Sequence, residues 1–257
     1  TGEDTLSLHD ALPISSEIYS YSADGRTIER LTRHSGFDGD IALWPTHNGT
    51  LAYSSARTQN KTHPSEVQLL TLQPHGRKTR TAQLALSGVR SGLRSGLRSG
   101  PQGTGPVADR SLHFSRDGQR WVWSRRLLGE KDPLSQLLIS DGKSERVLTT
   151  QRGINLQPVW HPSGQWILFS AVPGLAVPAP AAAQPATANL FVIDPEGKCL
   201  QRLTQSSDSD HQHPAFSPDG STVLLTGKDM NGSHIYQTDF RLTNSCLESA
   251  SPPGSTP

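Results

Sequence analysis

The chain has 257 residues, with 24 Lys and Arg against 23 Asp and Glu and a formal net charge of +1. That near-neutral balance is neither the basic footprint of a nucleic-acid-binding domain nor the high net charge of a disordered chain. The most apolar stretch, residues 171–183, is interrupted by Pro173, Pro178 and Pro180, so no spanning helix of about 20 residues is expected.

Residues 1–15 show neither the alternation nor the turn spacing found downstream. They read as a foreign-looking or disordered leader, and Thr5–Ser15 resembles translated sequencing-adapter DNA. They are set aside from fold reasoning. The sole Met is Met230, so the chain reads as processed or truncated.

From Ser16 to about residue 240, two hairpin patterns alternate. The first to appear is an apolar strand, a Gly-containing turn and a closing Leu-Thr. It runs from Ile18 through Asp24-Gly25 to Leu31-Thr32. It returns at Leu137 with Asp141-Gly142 and Leu148-Thr149, and at Leu190 with Glu196-Gly197 and Leu203-Thr204. A weaker copy spans Val67–Leu72 with His75-Gly76, and Ile235–Asp239 begins another. The second pattern is an aromatic residue, Gly or Asn four positions on, and a large apolar residue five further on. Its copies are Trp44–Asn48–Tyr53, Phe114–Gly118–Trp123, Trp160–Gly164–Phe169 and Phe216–Gly220–Leu225. Ser or Thr follows each final apolar residue (Ser54, Ser124, Ser170, Thr226). Short alternating runs bounded by turn residues read as strands, with Gly or Asn taking the left-handed turn position.

Two hairpins make a four-stranded antiparallel unit, which is one blade of a propeller. Such units stack because none buries both faces alone. The expected fold is therefore all-β, an incomplete β-propeller of about four to five blades. The spacing between copies is uneven. Insertions are expected at about 84–108, a Gly/Ser/Arg tandem repeat, and at about 172–188, rich in Pro and Ala. Residues 241–257 end in Pro and Ser and are expected to be a disordered tail. Cys199 and Cys246 lie near equivalent places in successive repeats, so a mutual bond is not expected.

Phe216-Ser217-Pro218-Asp219-Gly220 matches the turn signature of the TolB-like propeller repeat, and Phe114–Gly118 and Trp160–Gly164 are near matches. Arg30-Leu31-Thr32 and Arg202-Leu203-Thr204 match the family's second signature. The chain thus resembles TolB-like β-propellers. The resemblance implies a periplasmic or secreted bacterial protein that serves as a non-enzymatic protein-interaction scaffold in the cell envelope. It also leaves two alternatives: the regulatory propeller of a prolyl-oligopeptidase-type peptidase lacking its catalytic domain, and a carbohydrate-active propeller.

No nucleophile elbow, zinc-protease motif, phosphate loop or Cys-x-x-Cys is present. No catalytic residue, metal ligand or cofactor is therefore assigned, and the chain is expected not to be an enzyme. The strongest polar cluster is Asp208, Asp210, His211 and His213, ahead of a strand. An acidic lead-in with Asp38 and Asp40 occupies the corresponding place in an earlier repeat. His and Asp can ligate metals, and turn capping competes with that role. These six residues are the candidate binding rim, and a protein is the expected partner. No Asp or Glu lies between Val67 and Ala108, where Arg77, Lys78, Arg80, Arg90, Arg94 and Arg98 cluster. That run reads as solvated charge.

Overall fold

The computed structural model describes residues 16–33, 36–57, 65–72, 78–83, 107–128, 134–150, 153–173, 187–243 and 246. The leader, most of both insertions, the His75-Gly76 turn and the tail beyond residue 246 lie outside the described residues. No helix among the described residues is long and apolar enough to cross a membrane.

The order is that of alternating hairpins. An outer pair, β1 (Tyr19–Tyr21) and β2 (Ile28–Arg30), comes first. Blade I contains β3 (Gly36–Leu43), β4 (Thr50–Arg57), β5 (Ser65–Leu72) and β6 (Lys78–Gln83). Blade II contains β7 (Val107–Phe114), β8 (Trp121–Leu127), β9 (Leu134–Ser140) and β10 (Glu145–Val147). Blade III contains β11 (Gly153–Trp160), β12 (Ile167–Pro173), β13 (Asn189–Ile193) and β14 (Leu200–Arg202). The last set, blade IV, contains β15 (Asp210–Phe216), β16 (Thr222–Asp229) and β17 (Gly232–Asp239). Pairing within every set is antiparallel, and among the described residues one parallel main-chain pair, Ser65–Ala108, joins the sheet of blade I to that of blade II.

Successive blades pack face to face, and the faces in contact are apolar. Ala42, Ala52 and Val67 of blade I meet Phe114, Trp121 and Trp123 of blade II. Val122 and Leu137 of blade II meet Trp160 and Phe169 of blade III. Leu168 and Leu190 of blade III meet Val223 and Leu225 of blade IV. Ile18 and Leu31 of the outer pair cover Leu51 and Tyr53 of blade I.

The Ser and Thr positions of the repeat are explained by hydrogen bonds. The Thr of each Leu-Thr accepts a main-chain N–H with its hydroxyl: Ile18 N–H to Thr32 Oγ1, Leu137 N–H to Thr149 Oγ1 and Leu190 N–H to Thr204 Oγ1, each at 2.9 Å. The Ser on the second strand of a blade bonds into the next blade. Ser54 Oγ accepts from Ser111 N–H at 3.0 Å, while Ser124 Oγ donates to the Asn155 carbonyl at 2.6 Å and Ser170 Oγ to that of His211 at 2.8 Å. These polar groups are buried in the seams, where an unmatched amide or carbonyl would be costly.

Two expectations are corrected. In blade I the turn is one residue longer and shifted. Trp44 N–H bonds to Thr50 O, as Ser115 does to Arg120, His161 to Trp166 and Ser217 to Thr222. Trp44 therefore stands in the place of Ser115, His161 and Ser217 and not of Phe114, and Gly49 (φ 73°), not Asn48, is left-handed. Second, Cys199 and Cys246 form a disulfide, with Cα atoms 5.4 Å apart and both residues buried. The chain after β17 turns back onto blade III. There Gln201 Nε2 donates to Arg241 O and Thr243 N–H donates to Gln201 Oε1. This return is not encoded in the repeat, so repeat position misleads about which cysteines meet.

Candidate functional site

The innermost strands β3, β7, β11 and β15 pack side by side in that order. Each carries a β-bulge at the same register: between Gly39 and Ala42, Arg110 and His113, Leu156 and Val159, and Gln212 and Ala215. An extra residue bends the strand and re-aims the chain. At every bulge a non-glycine residue is left-handed: Asp40 (φ 50°), Ser111 (φ 53°), Gln157 (φ 54°) and His213 (φ 51°). Such a conformation costs about 1–3 kcal/mol for an L-residue and persists only when its surroundings over-determine it. The surroundings include neighbouring blades: Ser111 N–H is held by Ser54 Oγ, and His213 N–H donates to Gln157 Oε1 at 2.9 Å.

The six candidate residues separate into groups. Asp40 and His213 hold equivalent bulge positions on β3 and β15 and are exposed. Asp38 is buried on β3, where its N–H donates to Ser16 O at 2.9 Å and its carbonyl accepts from Ser16 Oγ at 3.0 Å. Asp208 accepts from Ser206 Oγ at 3.1 Å in the turn before β15. Asp210 Oδ1 accepts the Ala188 N–H at 2.7 Å, and His211 N–H donates to Ala188 O at 2.9 Å. Asp208, Asp210 and His211 are thus gathered at the start of β15. The bulge breaks the strand alternation between His211 and His213. Asp38 and Asp40 lie on blade I, with two blades between them and blade IV, so the six do not form one constellation. Burial lowers the His211 pKa, against the pull of Asp208 and Asp210. Among the described residues, no group of three or more His, Cys, Asp or Glu is arranged to hold a metal ion.

One polar cluster lay outside the expected rim. Arg125 makes a two-pronged bond to Asp109, 2.6 Å from Nε to Oδ1 and 2.8 Å from Nη2 to Oδ2, and its Nη1 lies 3.3 Å from Glu145 Oε1. Trp123 Nε1 also donates to Asp109 at 3.2 Å. The three charged side chains are largely buried. Burial raises the Glu145 pKa to about 7, against the pull of Arg125. Asp109 faces Arg125 only because of the Arg110/His113 bulge, and no local sequence signal marks that register. The cost of taking these charges out of water offsets much of their mutual attraction, so the cluster is weak evidence for added stability.

No protein-family model and no curated protein matches the sequence. Solved structures do match in fold. TolB from Acinetobacter baumannii has TM-score 0.55 at 15% identity, over 86% of this chain and 45% of its own. An oligogalacturonate lyase in complex with manganese has TM-score 0.53 at 16% identity, over 90% of this chain and 55% of its own. Hydrazine synthase from Kuenenia stuttgartiensis has TM-score 0.59 at 12% identity, over 84% of this chain and 32% of its own. The chain thus spans about half the length of the TolB and lyase chains it matches. Its fold is that of a TolB-like β-propeller.

Proposed function

We propose that this chain is a non-catalytic propeller that binds a protein partner in the bacterial cell envelope, through the exposed positions of its innermost strands. One observation carries the reading. The same bulge presents a polar residue in each of four successive sets of strands (Asp40, Ser111, Gln157 and His213), and all four are left-handed. The two ends of that series, Asp40 and His213, are exposed. Seam hydrogen bonds hold the bulge backbone at Ser111 and His213, so a partner would meet groups that are already ordered there, and little conformational entropy would be lost on binding. The Acinetobacter TolB likeness in fold supports the envelope assignment. Asp38 supports the strand from within, while Asp208 and Asp210 order the approach to His211.

The test is affinity capture from an envelope fraction with the wild-type chain and with Asp40→Lys plus His213→Asp. An envelope protein retained by the wild type and lost by the variant, at unchanged thermal stability, supports the reading. Equal capture by both chains removes the bulge positions from the interface. Recovery of the native protein in the cytosolic fraction removes the envelope assignment.

A further inference from the structure

Four arginines among the described residues lie over aromatic rings, and three of them spend their donors inside the protein. Arg120 stands over Trp160 and donates to the Gly164 carbonyl. Arg125 stands over Trp123 and grips Asp109. Arg202 lies over Phe191 and donates to the Thr204 carbonyl. Arg110 differs. Its guanidinium carbon is 4.8 Å from the centre of the Phe37 ring, and the residue is exposed. Among the described residues, no hydrogen bond or ion pair takes up that guanidinium.

Two blades build the stack. Phe37 is on β3 and Arg110 on β7, which pack side by side. The last paired residue before the bulge is Gly39 on β3, where β7, β11 and β15 have Arg110, Leu156 and Gln212. A Cβ on Gly39 would lie 2.5 Å from Cζ of Phe37, so the absent side chain makes room for the ring. Two residues before these positions stand Phe37, Ala108, Ile154 and Asp210. Of the four innermost strands, β3 alone combines the glycine with an aromatic. The arginine's main chain is fixed as well, because the next residue, Ser111, is left-handed and its N–H is held by Ser54 Oγ of blade I.

A ring engages the face of a guanidinium and leaves its N–H edge free. That edge is a rigid fork of donors, which matches the paired oxygens of a carboxylate or a phosphate. Charge separates these two anions. A phosphate group carries about −1.5 to −2 and is read by clusters of arginines. Arg110 is the one lysine or arginine on the four innermost strands, and the bulge residue of the adjacent strand is the exposed Asp40. A singly charged carboxylate suits that balance. Stacking also orders a long side chain in advance, so less freedom is lost when a ligand arrives.

We propose that Arg110, held on Phe37, is the subsite that takes a carboxylate of the partner, from an acidic side chain or a chain terminus. The proposal rests on the partner surface argued above and names the chemistry that one part of it recognises.

The test is a titration of the whole chain followed by nuclear magnetic resonance at the Ser111 amide and the Arg110 side-chain N–H. Four probes are compared at equal ionic strength: an end-capped glycine peptide with one central glutamate, the same peptide with glutamine, a glycine peptide with a free carboxyl terminus, and inorganic phosphate. A saturable shift is expected with a carboxylate probe and none with the glutamine peptide, and the tighter of the two carboxylates identifies the source. Arg110→Lys keeps the charge but loses the fork. It changes an exposed side chain, so it should unfold at the wild-type temperature while binding about tenfold more weakly at the Ser111 amide. Phe37→Leu removes the ring and should weaken binding too. No saturable shift with either carboxylate overturns the proposal. So does an equal shift with the glutamine peptide, tighter binding of phosphate, or undiminished binding by Arg110→Lys. Carboxylate binding without any captured envelope protein leaves the subsite standing and removes the protein-partner reading. Capture that depends on Asp40 and His213, without carboxylate binding, does the reverse.

Discussion

His161 Nε2 lies 3.1 Å from the main-chain oxygen of Gly220, binding the inner turn of blade III to that of blade IV. The carbonyl can only accept, so Nε2 carries the proton and Nδ1 is free to accept the Ser163 N–H at 3.0 Å. Trp44 Nε1 makes the same bond to Gly118 O at 2.9 Å, and Arg120 Nη2 to Gly164 O at 2.9 Å. Gly118, Gly164 and Gly220 therefore each serve twice, as the left-handed residue of their own hairpin and as the acceptor for the preceding blade.

Gly220→Val should cost about 1–3 kcal/mol from backbone strain alone. Gly220 has φ 78°, and a Cβ there would collide with the His161 imidazole. Gly164→Val shares the strain, at φ 72°, but meets only the far end of Arg120, at 3.4 Å. The Gly220 variant should therefore be the less stable of the two in urea unfolding. Equal losses would show that the inter-blade contact carries nothing.

Thr149→Val should destabilise the chain by about 1–3 kcal/mol, because it leaves the buried Leu137 N–H without its hydroxyl acceptor. Thr149→Ser keeps the oxygen and should recover most of the loss. The comparison separates hydrogen bonding from methyl packing, and is read from denaturant midpoints at constant slope.

Reduction of Cys199–Cys246 should lower stability by up to about 4 kcal/mol, the chain-entropy value for a loop of this size. The sequence separation is 47 residues. Unfolding with and without reductant measures the difference, with Cys199→Ser plus Cys246→Ser as the reagent-free control. No change in either would mean that the bond does not hold the chain end to blade III.

Stability should fall on mild acidification because of the seam histidines. Burial holds His113, His161 and His211 below the ordinary value of 6.5. The unfolded chain then takes up protons first, so their contribution is complete above about pH 6.5 and is lost as pH falls below it. His113 also accepts the Trp160 N–H through Nδ1, at 3.3 Å, and protonation removes that acceptor. Glu145 acts in the opposite sense. Its folded pKa is raised from 4.5 to about 7, so its ionisation works against the fold as pH rises through that window. Unfolding free energies measured across the window should show a shallower acid loss for His113→Asn than for the wild type. Glu145→Gln should gain on the wild type as pH rises.

The hairpin order was legible residue by residue. Phe216–Gly220 and Arg202–Thr204 are local patterns, and the turns they specify form as read, because a left-handed glycine and a Ser-Asp pair close a turn without help from the rest of the chain. Asp219 shows this: Ser217 Oγ and Ser221 N–H both bond its carboxylate, holding its pKa down at about 2. The Trp44 turn was misread by one residue because an aromatic at its start looked like Phe114, and only the hydrogen-bond frame shows that Trp44 fills the place of His161. In the candidate rim, the residue types of Asp40 and His213 drew attention, but their shared left-handed bulge did not, since a bulge is a property of pairing and not of composition.

The sequence by itself determined the repeat, its turns and the all-β class, because period-two alternation and turn chemistry act over a few residues. Only the tertiary structure decided the rest. It placed Arg125 against Asp109, brought Cys246 back to Cys199, and paired the seam serines with the next blade. These are relations between strands far apart in the chain, set by which blade packs on which face, and no short window of sequence contains both partners.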